Sequence, residues 1–114
     1  MKKLIVCIAL LLSTAAAQAQ LHGATTTTVN STISVTNAFQ AALAANTGRA
    51  ACVLQNTGTH TMYVYFGVLA SATTSNGFQI APGQTISCNV PGVVLQDAVN
   101  ITGTAGDGYI VTSQ

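Results

Sequence analysis

The feature that most constrains this chain is its punctuation. From Ala50 onward, short apolar runs are closed by Asn56-Thr57-Gly58, Asn76-Gly77, Pro82-Gly83, Pro91-Gly92 and Gly106-Asp107-Gly108. Such clusters favour turns because glycine reaches positive φ, proline presets φ, and Asn and Asp bond their own backbone. The runs between them read as strands: Ala50–Gln55, Thr61–Gly67, Phe78–Ile80, Thr85–Val90, Val93–Leu95, Ala98–Thr102 and Tyr109–Thr112. Short strands at roughly 8–12-residue spacing predict an all-β fold, a small antiparallel β-sandwich of Ig-like or jelly-roll-like type. Upstream, Thr32–Thr36 alternates apolar and polar and is expected to be a strand. Ala38–Ala45 is helix-favouring but only a few residues long, so a short strand or a single helical turn is expected there.

The front of the chain differs in kind. Met1-Lys2-Lys3, the apolar run Leu4–Leu12 and the small-residue stretch ending Ala17-Gln18-Ala19 follow the plan of a cleavable signal peptide. The apolar run would rise about 14 Å as a helix, short of a ~30 Å hydrocarbon core, so a membrane anchor is the weaker reading. Cys7 lies inside that run rather than after it, which argues against lipid attachment. The expected division is a signal peptide over 1–19, a Thr/Ser-rich arm or first strand over 20–37, and a β-sandwich domain over 38–114. Export to the periplasm or the extracellular space, from a bacterium or a phage-borne gene, is the expected localisation, with no stable membrane insertion once the signal is removed.

Removing the signal leaves Cys52 and Cys88. An even count in an exported protein is the pattern of a disulfide. Alternation puts Cys52 on the face of Leu54, and Cys88 on the face of Ile86 and Val90, so both belong with the core and could meet between two sheets. A free or intermolecular thiol is the competing reading. The same parity turns Met62, Val64 and Phe66 inward and Tyr63 and Tyr65 outward. The two tyrosines form a candidate interaction surface, because Tyr offers large area at low entropic cost; packing under a neighbouring loop is the alternative.

Charge narrows the function. Only 4% of residues are charged, against roughly 25% in ordinary soluble domains. Beyond the signal, Arg49, Asp97 and Asp107 are the charged side chains that remain. Nucleic-acid binding by charge neutralisation is therefore excluded, as is a polybasic membrane-surface role. No glutamate occurs, His22 and His60 are far apart, and neither a G-x-S-x-G elbow, a phosphate loop nor a zinc spacing is present. No catalytic residue, metal site or cofactor is expected. Asp97 and Asp107 read as turn residues, His60 as an exposed loop end, and Arg49 as a salt bridge or carbonyl contact to a nearby turn. Asn30-Ser31-Thr32 and Asn100-Ile101-Thr102 match the glycosylation acceptor pattern. A surface near zero net charge favours association, and an extended Thr-rich N-terminal segment is suited to adding as a strand to a neighbour's sheet edge.

Four runs, in order, carry a family likeness: Leu43-Ala44-Ala45-Asn46-Thr47-Gly48-Arg49, Val53-Leu54-Gln55-Asn56-Thr57-Gly58, Met62-Tyr63-Val64-Tyr65-Phe66-Gly67 and Ile80-Ala81-Pro82-Gly83-Gln84. Together they resemble small β-rich accessory proteins of tailed-phage and prophage virions, of the head-decoration or fibre-associated kind. The resemblance covers about Phe39 to Thr112. It implies a β-rich, non-enzymatic, virion-associated protein and supplies no catalytic residues. The export signal and the cysteine pair depart from a capsid assembled in a reducing cytoplasm, and favour an exported bacterial relative. The expected function is thus a non-enzymatic exported structural or interaction protein with a protein partner or self-association. The alternative is a small secreted ligand- or glycan-binding module, in which Tyr63 and Tyr65 stack on sugar rings.

Overall fold

Eight strands pair in a sequence of nested hairpins in the computed structural model, which describes residues 25–114. They are β1 (Thr27–Thr32), β2 (Gln40–Leu43), β3 (Cys52–Asn56), β4 (Met62–Phe66), β5 (Phe78–Ile80), β6 (Thr85–Ser87), β7 (Val99–Thr102) and β8 (Gly108–Ser113). The signal peptide expected over 1–19, the first residues of the Thr/Ser-rich arm, Cys7 and His22 lie outside the described residues. No helix long and apolar enough to cross a membrane occurs among those described.

Sheet A has the order β1-β8-β3-β6 and sheet B the order β2-β7-β4-β5. Every pairing is antiparallel. Strand β1 pairs with β8, β2 with β7, β3 with β6 and β4 with β5, so the chain is one long hairpin rolled up on itself, with β8·β3 and β7·β4 closing the two sheets. That is the jelly-roll arrangement of an eight-stranded sandwich, and it decides between the two sandwich types expected from the sequence.

The two sheets meet over the inward residues of alternating strands. Leu54, Met62, Val64, Val99, Ile101 and Val111 are completely buried, and Ile33, Ile80 and Tyr109 nearly so. Burying each of the larger aliphatic side chains is worth roughly 1.5–3 kcal/mol. Tyr109 keeps its hydroxyl satisfied at the rim, where Gln40 Nε2 donates to it at 3.1 Å. The segment 38–45 forms β2, the strand alternative, carrying a bulge between Ala41 and Leu43.

Two segments depart from the expected strands. The alternating run Thr32–Thr36 is not a strand beyond Thr32. The strand lies one step earlier, over Thr27–Thr32, where each residue faces one of β8, from Thr27↔Ser113 to Thr32↔Gly108. Past Gly108 the partner strand turns, with Gly106 at φ +89, so among the described residues Ser34–Thr36 has no strand opposite it. The chain anchors Ile33 in the core and turns at Asn37, which adopts φ 60. Val93–Leu95 is likewise no strand. Pro91-Gly92, with Gly92 at φ +84, leads into successive turns closed by Val93 N–H to Val90 O and Asp97 N–H to Val94 O.

Cys52 and Cys88 form a disulfide with Cα atoms 5.3 Å apart. Both sulfurs are buried, as parity predicts. The bridge does not link facing sheets, however. It joins β3 to the continuation of β6 within sheet A, where Cys88 N–H also donates to Cys52 O at 3.0 Å. Parity places a cysteine on the inward face but says nothing about which sheet its partner occupies.

Candidate interaction surfaces

Three places on the fold concentrate chemistry that the core does not use. The first is the outer edge of β1. Ile33 N–H donates to Asp107 O at 2.9 Å, and antiparallel pairs alternate between hydrogen-bonded and open. By that alternation Val29 and Ser31 bond β8, whereas the backbone groups of Thr28, Asn30 and Thr32 point away from it. The register of β8 with β3 agrees, since Thr57 N–H donates to Gly108 O at 3.0 Å, giving the even-numbered residues of β8 to β3. Gln40 Nε2 caps Thr32 O at 2.9 Å, which among the described residues leaves the edge open along Thr28 and Asn30. Apart from half-buried Ser31, β1 is exposed over its whole length.

The second is the outer face of sheet B. Tyr63 lies opposite Thr102, and Tyr65 opposite Asn100, across the β4·β7 ladder. Val99 and Ile101 point into the core, so Asn100 and Thr102 point outward beside the tyrosines. Tyr63 and Tyr65 are half-buried rather than freely exposed. Asn100 and Thr102 are nonetheless buried, at 0% and 1% exposure. Asn100 Nδ2 donates to Gly67 O at 2.8 Å, but Asn100 Oδ1 and Thr102 Oγ1 have no hydrogen-bond partner among the described residues. The Tyr65 ring lies over Gly67, where a Cβ would sit 3.1 Å from the Tyr65 hydroxyl. Burial of Asn100 also removes it from consideration as a glycosylation acceptor in the folded chain.

The third is the loop pair 57–60 and 104–108. Asp107 accepts from Thr59 N–H at 3.1 Å and His60 N–H at 3.2 Å, and its Oδ2 lies 2.9 Å from His60 Nδ1. The Thr59 backbone bond, and after it the His60 side chain, hold the Asp107 carboxyl below its ordinary range, against an opposing effect of burial. The loops touch because residue 58 has no side chain: a Cβ there would lie 2.5 Å from Asp107 Cβ. His60 is therefore an exposed ring tethered through one nitrogen to a structural aspartate.

Arg49 is 4% exposed and takes the carbonyl-contact alternative. Its Nη1 donates to Leu95 O at 3.1 Å and Asp97 O at 2.7 Å, and its Nη2 donates to Ala44 O. Desolvation lowers its pKa. It ties the loop after β2 to the one before β7, and its partner at Asp97 is the main chain rather than the carboxylate. A recess of about 190 Å³ opens beside Ala51, Cys52 and Thr112, smaller than the ~300–1,000 Å³ of drug-sized ligand pockets. No group of three His, Cys, Asp or Glu residues placed to hold a metal ion occurs among the described residues.

The structure thus brings Cys52 to Cys88 and sets Tyr63 and Tyr65 side by side. It adds the placement of Asn100 and Thr102 beside the tyrosines and the pairing of His60 with Asp107, neither of which the sequence reading foresaw. Alternation in Val99-Asn100-Ile101-Thr102 carries half of that signal; the pairing of β7 with β4 carries the rest. No protein-family model matches the chain, no curated protein matches its sequence, and no solved structure matches it. The likeness to virion accessory proteins accordingly rests on its short motifs alone.

Proposed function

We propose that this chain is a non-enzymatic, exported structural or interaction protein that joins a partner, or further copies of itself, through the open edge of β1, at a cell or virion surface. The observation that carries this reading is the state of that edge. Proteins blunt exposed edge strands with charge, proline, bulges or brevity. Strand β2 is bulged, and β5 and β6 have three residues each. Strand β1 has six residues, TTVNST, with no charge and no proline, and offers main-chain groups for strand addition. Two further points support the reading. A disulfide suits an oxidising compartment, and the charged side chains of Arg49 and Asp107 are held in structural contacts. The jelly roll also serves capsid and lectin domains, a likeness at the level of fold only.

The test is light scattering of the purified chain over a concentration series, beside Asn30→Lys and Asn30→Pro. Neither substitution removes a bond to β8. The expected result is an assembly that both variants reduce to monomer with little change in melting temperature. A parent chain that stays monomeric and captures no partner strand, or an assembly indifferent to both variants, overturns the proposal. A second reading, a small glycan-binding module, is favoured by the paired tyrosines with unpartnered polar atoms beside them.

A further inference from the structure

The geometry points to the outer face of sheet B as a binding platform for a neutral carbohydrate, with Tyr63 and Tyr65 taking the apolar faces of sugar rings and Asn100 and Thr102 supplying the hydrogen bonds. This deepens the glycan-binding reading and is independent of the edge of β1, which lies on the other sheet.

Four residues make the platform, in two adjacent columns: Tyr63 beside Thr102 and Tyr65 beside Asn100. Residues two apart on a strand are about 6.7 Å apart and share a face, so the two phenol rings form one aromatic strip flanked by one polar strip. Buried polar groups are almost always hydrogen-bonded, and an unmade bond there is costly. Yet Asn100 Oδ1 and Thr102 Oγ1 are both buried and both unpartnered. They sit on the same face of the same strand, each beside a tyrosine. Asn100 Oδ1 accepts only, whereas a threonine hydroxyl both donates and accepts. A sugar hydroxyl does both as well, so adjacent hydroxyls of one ring satisfy both orphans, while the ring's C–H face packs on the phenol.

Charge selects the class of sugar. Strands β2, β4, β5 and β7 carry no ionisable group except the tyrosine hydroxyls, and neither does the loop between β4 and β5. Nothing on the face rewards a phosphate, a sulfate or a uronic acid. Both orphans are buried in the unliganded fold, so a sugar hydroxyl reaches them only as the side chains over them turn aside. Main chain packs against both tyrosines, Gly67 against the Tyr65 ring and Gly77 against the Tyr63 Cβ, and a side chain at Gly67 would crowd the Tyr65 ring.

The experiment is an amide NMR titration of the disulfide-intact chain with cellotetraose, chitotetraose and maltotetraose, and with a tetragalacturonate as the charged control. The expected result is saturable shifts of the Asn100 side-chain amide and of the β4 and β7 backbone with at least one neutral sugar, and weaker or no binding of the acid. Tyr63→Ala and Tyr65→Ala each weaken binding by about tenfold or more, as for aromatic anchors elsewhere; Thr102→Val weakens it less. Asn30→Lys leaves it unchanged while abolishing edge assembly, which separates failure of this inference from failure of the edge reading. Absence of shifts on this face with all three neutral sugars at ~10 mM, ten times a millimolar Kd, overturns it. So do shifts confined to another surface, binding that both tyrosine variants retain, or concentration-dependent shifts of the face without sugar that mark it as a self-association surface.

Discussion

Reducing the Cys52–Cys88 bridge provides a quantitative test, because its cost and its location both follow from the fold. The bridge closes a loop of 36 residues in sequence separation. In the chain-entropy account, releasing that loop gives the unfolded chain about 3.8 kcal/mol, a large share of the roughly 5–15 kcal/mol of a whole domain. At a urea m-value of ~1–1.5 kcal/mol/M, within the range of small proteins, the midpoint falls by about 2.5–4 M. Urea unfolding followed by tyrosine fluorescence, with and without dithiothreitol, reads this directly, since the chain has three tyrosines and no tryptophan. The location is the sharper part. The bridge fastens β6, at the rim of sheet A, to β3. Amide exchange after reduction is therefore expected to rise first in β6 and the following loop, with β4 and β7 keeping their protection. A midpoint shift below about 0.5 M, or protection lost equally from both sheets, would refute the reasoning.

Three further outcomes follow from single sites. Gly58→Ala forces a methyl group onto Asp107 and should destabilise the fold by about 1–3 kcal/mol, read as a lower urea midpoint; Gly48→Ala, whose Cβ would meet only an ordinary contact at 3.4 Å, is the matched control for crowding. Because the carboxyl of Asp107 is depressed in the folded state, it contributes stability above its unfolded pKa that is lost as pH falls through the folded value. The stability gap between the parent and Asp107→Asn should thus be full near neutral pH and shrink below the ordinary carboxylate range; a gap independent of pH would contradict the assignment. Thr102→Val removes a hydroxyl that has no partner and should be neutral or stabilising in thermal melts, where loss of an ordinary buried hydrogen bond would cost about 1 kcal/mol.

The strands were legible where alternation and turn chemistry act within a few residues. Phe78–Ile80 falls where the sequence places it, and β3, β4, β7 and β8 do so within one or two residues. What alternation cannot supply is a partner. Thr32–Thr36 has the pattern of a strand but no strand opposite it, while the Thr run before it finds β8 some 80 residues further along the chain, from Thr27↔Ser113 to Thr32↔Gly108. The cysteines show the same division. Their count and parity announce a buried bridge, but only the roll of the chain puts β6 next to β3. The tyrosines were visible as an outward pair, whereas Asn100 and Thr102 gain meaning only through the register of β7 on β4. Local chemistry wrote the elements of this fold; pairings between distant segments wrote its surfaces.

Hydrogen exchange along β1 probes most directly the claim that this chain acts through its open sheet edge. In the dilute monomer the amides of Val29 and Ser31 should be protected by β8, and those of Thr28 and Asn30 should exchange freely. On assembly, or with a bound partner strand, Thr28 and Asn30 should become protected as well. Protection of Thr28 and Asn30 already in the dilute monomer, or their free exchange in the assembled state, would contradict the claim.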